Sequence, residues 1–136
     1  TGTGLAARSV SVGKDVCLIS AGNMLTPCIE AATILADEGI KASIWDARVL
    51  KPVDPELIAN AHEHPIVVTV EDGVRIGGFG SLVSDALQNS PGLPPRLLQL
   101  GVPDAYIGHG NVDEIHAELG LNGVGIAKTI RNALEL

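Results

Sequence analysis

The sequence predicts a three-layer α/β/α domain built on a mainly parallel sheet, the α/β class. Two observations lead there. Short apolar runs at Val16–Ser20, Ala42–Asp46, Ile66–Val70 and Arg96–Leu100 mostly lack polar–apolar alternation, as strands buried on both faces do. Between them the period changes to that of helices, giving the order β-α-β-α-β-α-β-α-α. Such alternation needs crossover connections, and crossovers place helices on both faces of a parallel sheet.

Each element has its own signal. Thr1-Gly2-Thr3-Gly4 has no apolar period, so residues 1–11 are expected to be a connector from an upstream domain and residues 12–136 the domain itself. Leu25, Ile29, Ala32, Leu35 and Ala36 form a helical stripe, with Thr26 as cap, Pro27 at the first position and Gly39 as terminator. Asp54-Pro55-Glu56 starts a short helix reaching about His62. Ser81 precedes a third face of Leu82, Val83, Ala86 and Leu87, and Ser90–Pro95 is a rigid loop. Asn111 and Glu114 resemble a capping box ahead of Ile115 and Leu119, and Ile126, Ile130 and Leu134 close the chain at helical spacing.

Composition narrows the function classes. The 136 residues fit one soluble domain, and the 46% hydrophobic content leaves room for a buried interface. Aromatics are 2% (Trp45, Phe79, Tyr106), so the core must come from Val, Ile, Leu and Ala. A net charge of −7 with scattered Lys and Arg argues against nucleic acid and anionic membrane as partners. No apolar run reaches the ~18 residues of a spanning helix. Cys17 lies in an apolar run. Cys28 follows Thr26-Pro27 at a helix start, where a thiol pKa can fall. Both are taken as packed structural thiols, which suits a reducing cytoplasm.

Chemistry in an open parallel sheet belongs beyond the carboxyl ends of the strands. After the first strand comes Ala21-Gly22-Asn23-Met24, where Gly22 and Asn23 can approach a phosphate or the segment simply makes a tight turn; the three-glycine fingerprint and a Walker lysine are absent. After the third, Glu71-Asp72-Gly73 precedes Gly77-Gly78-Phe79-Gly80-Ser81. Two carboxylates beside such a turn can act as acid and base, or the glycines can serve close packing or an interface. His62 and His64 lack a third ligand in register, His109 sits between two glycines in a loop, and His116 is expected to face water. No G-x-S-x-G elbow occurs. The expectation is a domain with no catalytic, cofactor-binding or metal residue of its own.

Four segments nevertheless resemble the C-terminal domain of transketolase-like, thiamine-diphosphate-dependent enzymes. They are Ala47–Asp54, Val67–Asp72 (VVTVED), Gly77–Ser81 (GGFGS) and the tail from Leu100-Gly101-Val102-Pro103-Asp104 through Gly108-His109-Gly110 to Ala117–Leu121 and Gly125-Ile126. Within that family the tail is most similar to 1-deoxy-D-xylulose-5-phosphate synthases. Gly2-Thr3-Gly4 resembles the end of their connector, with Thr1 where they carry arginine. Phe79 stands where many of them have a smaller residue, and 2-oxo-acid dehydrogenase β-subunits often have Phe there.

The resemblance implies a transferase of isoprenoid precursor synthesis that joins pyruvate to glyceraldehyde 3-phosphate. It also implies thiamine diphosphate and Mg²⁺ held by upstream domains, none of them in this fragment, and a homodimer that this domain helps to assemble. On that basis Gly77–Ser81 and Glu71 are expected at domain or subunit contacts, with Phe79 among them. Alternatives are the same domain of a 2-oxo-acid dehydrogenase β-subunit or a transketolase, or a stand-alone module binding a small molecule around Asn23, Glu71 and His109.

Overall fold

The structure, a computed structural model, describes residues 7–22, 24–47, 54–74, 78–102 and 117–135. Its centre is β2 (Val16–Ala21), buried at every position. On one side lies β3 (Ala42–Asp46), on the other β4 (Ile66–Val74), both parallel to it. β5 (Arg96–Val102) extends the parallel set beyond β4. The five-stranded order is completed by β1 (Arg8–Ser11), which runs antiparallel along the free edge of β3.

The four helices with defined bounds are α1 (Leu25–Ala36), α2 (Pro55–Ala61), α3 (Phe79–Gln88) and α4 (Gly123–Leu134). They divide the core in two. Val16, Leu18, Ile44, Val68 and Val70 meet α1 and α4 through Cys28, Leu35, Ile126 and Ile130. On the opposite face Cys17, Ile19, Trp45 and Val67 meet α2 and α3 through Leu57, Phe79, Val83 and Leu87. Successive strand residues point to opposite faces, so each apolar run feeds both cores. The predicted three-layer α/β fold is the one observed.

Four local expectations are corrected. The stretch expected as connector contributes a sheet strand at Arg8–Ser11, four residues ahead of the expected start at 12. Three of its four side chains are exposed, so no apolar run announces it. β5 is only half-buried because it is an edge. α1 begins at Leu25 behind Met24, which supplies no side-chain cap, and it buries Cys28, Ala31 and Leu35, leaving Ile29 40% exposed. α3 starts at Phe79, two residues before Ser81. Gly39 does end α1, at φ 83°, and Asp54 caps α2 by accepting from the Glu56 N–H at 2.9 Å. The expected Asn111–Glu114 capping box lies outside the described residues.

Candidate functional site

The chain order reverses beside β2, because β3 is laid on one side of it and β4 on the other. Open α/β sheets form their crevice outside the carboxyl ends at such a reversal. Here Ala21 of β2 pairs with Glu71 of β4, so the strand ends leading into two segments singled out in the sequence lie side by side. Gly22 follows at φ 69°, a left-handed turn that glycine adopts without strain. Met24 is buried under α1, and Asn23 lies outside the described residues.

Glu71 decides what this end of the sheet does. Its side chain is 6% exposed and turned into the start of α3. Oε1 accepts from the Phe79 N–H at 3.1 Å, and Oε2 accepts from the Gly80 N–H at 2.9 Å. First-turn N–H groups have no partner within their own helix, and the helix dipole favours an anion beside them. The anion at this helix start is therefore the protein's own carboxylate. Gly80 also packs closely on β5: a Cβ there would come within 2.6 Å of Gln99 Oε1, the end of a flexible side chain that would have to turn aside. Of the two readings of the Glu71 and glycine-rich segment, capping and close packing are the ones the described residues carry. The Asp72 side chain and Gly77 lie outside them.

Phe79 does not face outward. It is 3% exposed and sits in the core between the sheet, α2 and α3, which corrects its expected place at a subunit contact.

The two described histidines are tied into the fold by hydrogen bonds. His62 Nε2 donates to the Leu87 carbonyl at 3.0 Å, tying α2 to α3. His64 is buried. Nδ1 donates to the Asn60 carbonyl at 2.8 Å, while Nε2 lies 2.9 Å from both Ser43 Oγ and the Gly13 carbonyl. His109 and His116 lie outside the described residues. Burial pushes the Cys17 and Cys28 thiols up to about 12, so Cys28 is not the activated thiol that a helix start can produce.

One contact had no sequence signal. Asp54 Oδ2 accepts from the Ala7 N–H at 3.0 Å while Oδ1 caps α2, so one carboxylate serves both. The cap was legible from Asp54-Pro55, but a partner forty-seven positions away was not.

The family description "Transketolase, C-terminal domain" matches residues 5–126. The chain belongs to the transketolase C-terminal domain family. Among curated transketolase-like relatives it is 47% identical over 126 residues to a 1-deoxy-D-xylulose-5-phosphate synthase of Synechococcus sp., covering 92% of this chain and 19% of that protein. It is 38% identical over 129 residues to the synthase of Magnetococcus marinus, covering 93% and 21%. The chain thus spans about a fifth of the length of these relatives. Among solved structures, a split-gene transketolase described as an inactive beta4 tetramer superposes with a TM-score of 0.85 at 33% identity, covering 96% of this chain and 42% of that one. Transketolase of Campylobacter jejuni shares the fold, with a TM-score of 0.69 at 12% identity over 94% of this chain and 18% of that one.

Proposed function

We propose that this transketolase C-terminal domain is the assembly domain of a thiamine-diphosphate-dependent transferase. That enzyme condenses pyruvate with glyceraldehyde 3-phosphate, releasing carbon dioxide, to give 1-deoxy-D-xylulose 5-phosphate for isoprenoid synthesis in the cytoplasm. The observation that carries this reading is the similarity to synthases along nearly the whole chain, at 38–47% identity.

The described residues do not fit the cofactor. A diphosphate brought to the start of α3 would meet the buried Glu71 carboxylate already bonded there. Among the described residues no three His, Cys, Asp or Glu side chains stand together as a metal set. The reading therefore assigns thiamine diphosphate and Mg²⁺ to upstream domains of a longer chain, and to this domain no catalytic residue. Its role is to pack on those domains and support a homodimer, with residues ahead of β1 as the connector.

A surface suited to that packing exists. Two grooves of about 510 and 420 Å³ flank α1 and share Ile29 and Thr33; Val124 lines the first and Val12 the second. Val12 is 88% exposed and Val124 69% exposed. We assign this face to the upstream part of the same chain, since about four-fifths of the relatives' length lies outside the segment matched here.

A transketolase is the second reading, favoured by the 33% identity to the split-gene protein. The test is an assay of the full-length protein with pyruvate and glyceraldehyde 3-phosphate, and separately with a ketose-phosphate donor and an aldose-phosphate acceptor. Release of carbon dioxide with formation of the deoxy sugar supports the synthase. Two-carbon transfer without decarboxylation supports transketolase, and failure of both refutes the proposal.

A further inference from the structure

The two edges of the sheet are finished differently. β1 is four residues long, three of its side chains are exposed, and its register slips between Ser9 and Ser11. Short, polar, bulged edges discourage another strand from joining. β5 runs for seven residues, Arg96–Val102, with no proline or charged residue after Arg96. Among the described residues no strand pairs with its outer side, where Leu97, Leu98, Gln99 and Leu100 are only half-buried.

A single hydrogen bond fixes which backbone groups that edge offers. The Arg96 N–H donates to the Pro65 carbonyl at 3.3 Å, and Arg96 lies opposite Ile66 of β4. Along a parallel strand, alternate residues turn both of their backbone groups to the same neighbour. Arg96, Leu98 and Leu100 therefore face β4, while Leu97, Gln99 and Gly101 turn their N–H and C=O outward. Gly101 is buried, so the open stretch runs from Leu97 to Gln99. Its outward groups need a partner strand or water.

Symmetry then sets the register. Two copies of one strand related by a two-fold axis run antiparallel and present the same residues to each other. With the axis at Leu98, Leu97 faces Gln99 of the second copy, and the two exchange both N–H···O=C bonds. Every open group of both copies is then satisfied. An axis at Gln99 would set Leu97 against Gly101, which is already covered. An axis at Leu97 would set Gln99 against Pro95, which has no N–H. The side chains agree with the first choice. Leu98 meets its own mate on the face shared with α1 and α4. Leu97 and Gln99 line a groove of about 270 Å³ with Ser84, Gln88, Pro94 and Pro95, which leaves room for the same two side chains of the second copy.

We propose that β5 pairs antiparallel with β5 of a second copy about Leu98, joining two five-stranded sheets into one. This rests on the homodimer proposed above and names a contact within it.

Oxidative cross-linking of the full-length protein tests it. Residues that face each other in a non-hydrogen-bonded antiparallel pair have Cα atoms about 4.5 Å apart, within reach of a disulfide. Leu98→Cys should therefore give a covalent dimer under mild oxidation, well above the level of the unmodified protein; Cys17 and Cys28 are buried. Leu97→Cys should cross-link at least about tenfold more slowly, because its own mate lies farther along the strand than the roughly 7 Å a disulfide spans. Adding Gln99→Pro to Leu98→Cys removes an outward N–H without touching the β4 ladder, and should slow cross-linking severalfold. If Leu98→Cys does not fold, the double variant Arg96→Cys/Leu100→Cys carries the same test, since those positions face each other about the same axis. Sedimentation of the unmodified protein separates the two readings. A monomer refutes the homodimer and this contact together. A dimer in which neither cysteine variant cross-links, or in which Leu97→Cys reacts as fast as Leu98→Cys, overturns the β5 contact alone.

Discussion

Removing the Glu71 carboxylate strands the Phe79 and Gly80 N–H groups at a buried helix start. Glu71→Ala should therefore lower unfolding stability by about 2–3 kcal/mol in urea titrations, and Glu71→Gln, which keeps one acceptor oxygen, by less. Two positions before it on β4, Thr69 Oγ1 is buried and finds no hydrogen-bond partner among the described residues. Thr69→Val replaces that hydroxyl with a methyl of similar size, so the unfolding free energy should hold or rise, by up to about 1 kcal/mol. The thiols set a pH limit. Their pKa is raised by burial from 9.0 to about 12, so the folded state keeps protons that the unfolded chain gives up between those values. Their stabilisation is complete below pH 9.0 and declines as the pH rises toward 12. A Cys17→Ala/Cys28→Ala variant should lose that part of the alkaline slope, and native protein should resist iodoacetamide at pH 8.

Among the elements, α1 and α4 cross where Gly123 meets Glu30, and a Cβ on Gly123 would fall 2.6 Å from Glu30 Cβ. That atom sits at the base of its side chain and cannot swing aside. Gly123→Ala should force the helices apart and cost about 1–3 kcal/mol, read from the thermal midpoint. This crossing also explains why one helix face was misjudged from sequence. α1 is apolar on several sides because the sheet and α4 cover it in two directions, so Leu25–Ile29–Ala32 competes with Cys28–Ala31–Leu35 and periodicity cannot choose. The central strands were legible because burial on both faces makes each a mostly apolar run, broken only by small hydroxyl residues such as Ser43 and Thr69. β1 was not, since Arg8, Ser9 and Ser11 are exposed on an edge. At the crevice the sequence identified Glu71 and the glycines as special. It did not show that a strand-end carboxylate folds onto the next helix, which depends on the crossover geometry of β4 and α3.

At the scale of the molecule, two cores share one sheet, and the α1 side still presents apolar surface. Ile29→Asp or Val124→Asp should loosen packing of the full-length protein, seen in its sedimentation coefficient, while thermal unfolding of this domain shifts little. Phe79→Asp should instead unfold the domain, because that ring belongs to the inner core. The reading fails if the Val124→Asp protein sediments unchanged. Arg8–Ser11 adds a mechanical consequence. It is the first piece of sheet that a pull from the preceding chain reaches. Asp54, gripping Ala7 and capping α2 together, is the catch that must open first. With three of its side chains in water, β1 can then peel from β3 rung by rung, starting at Arg8–Asp46 and leaving the buried layers nearly intact. Each freed residue lengthens the tether by about 3.3 Å. Under a pulling force applied ahead of Ala7, β1 should therefore detach before β2 and β4 carry load, a separate early step in a force–extension trace.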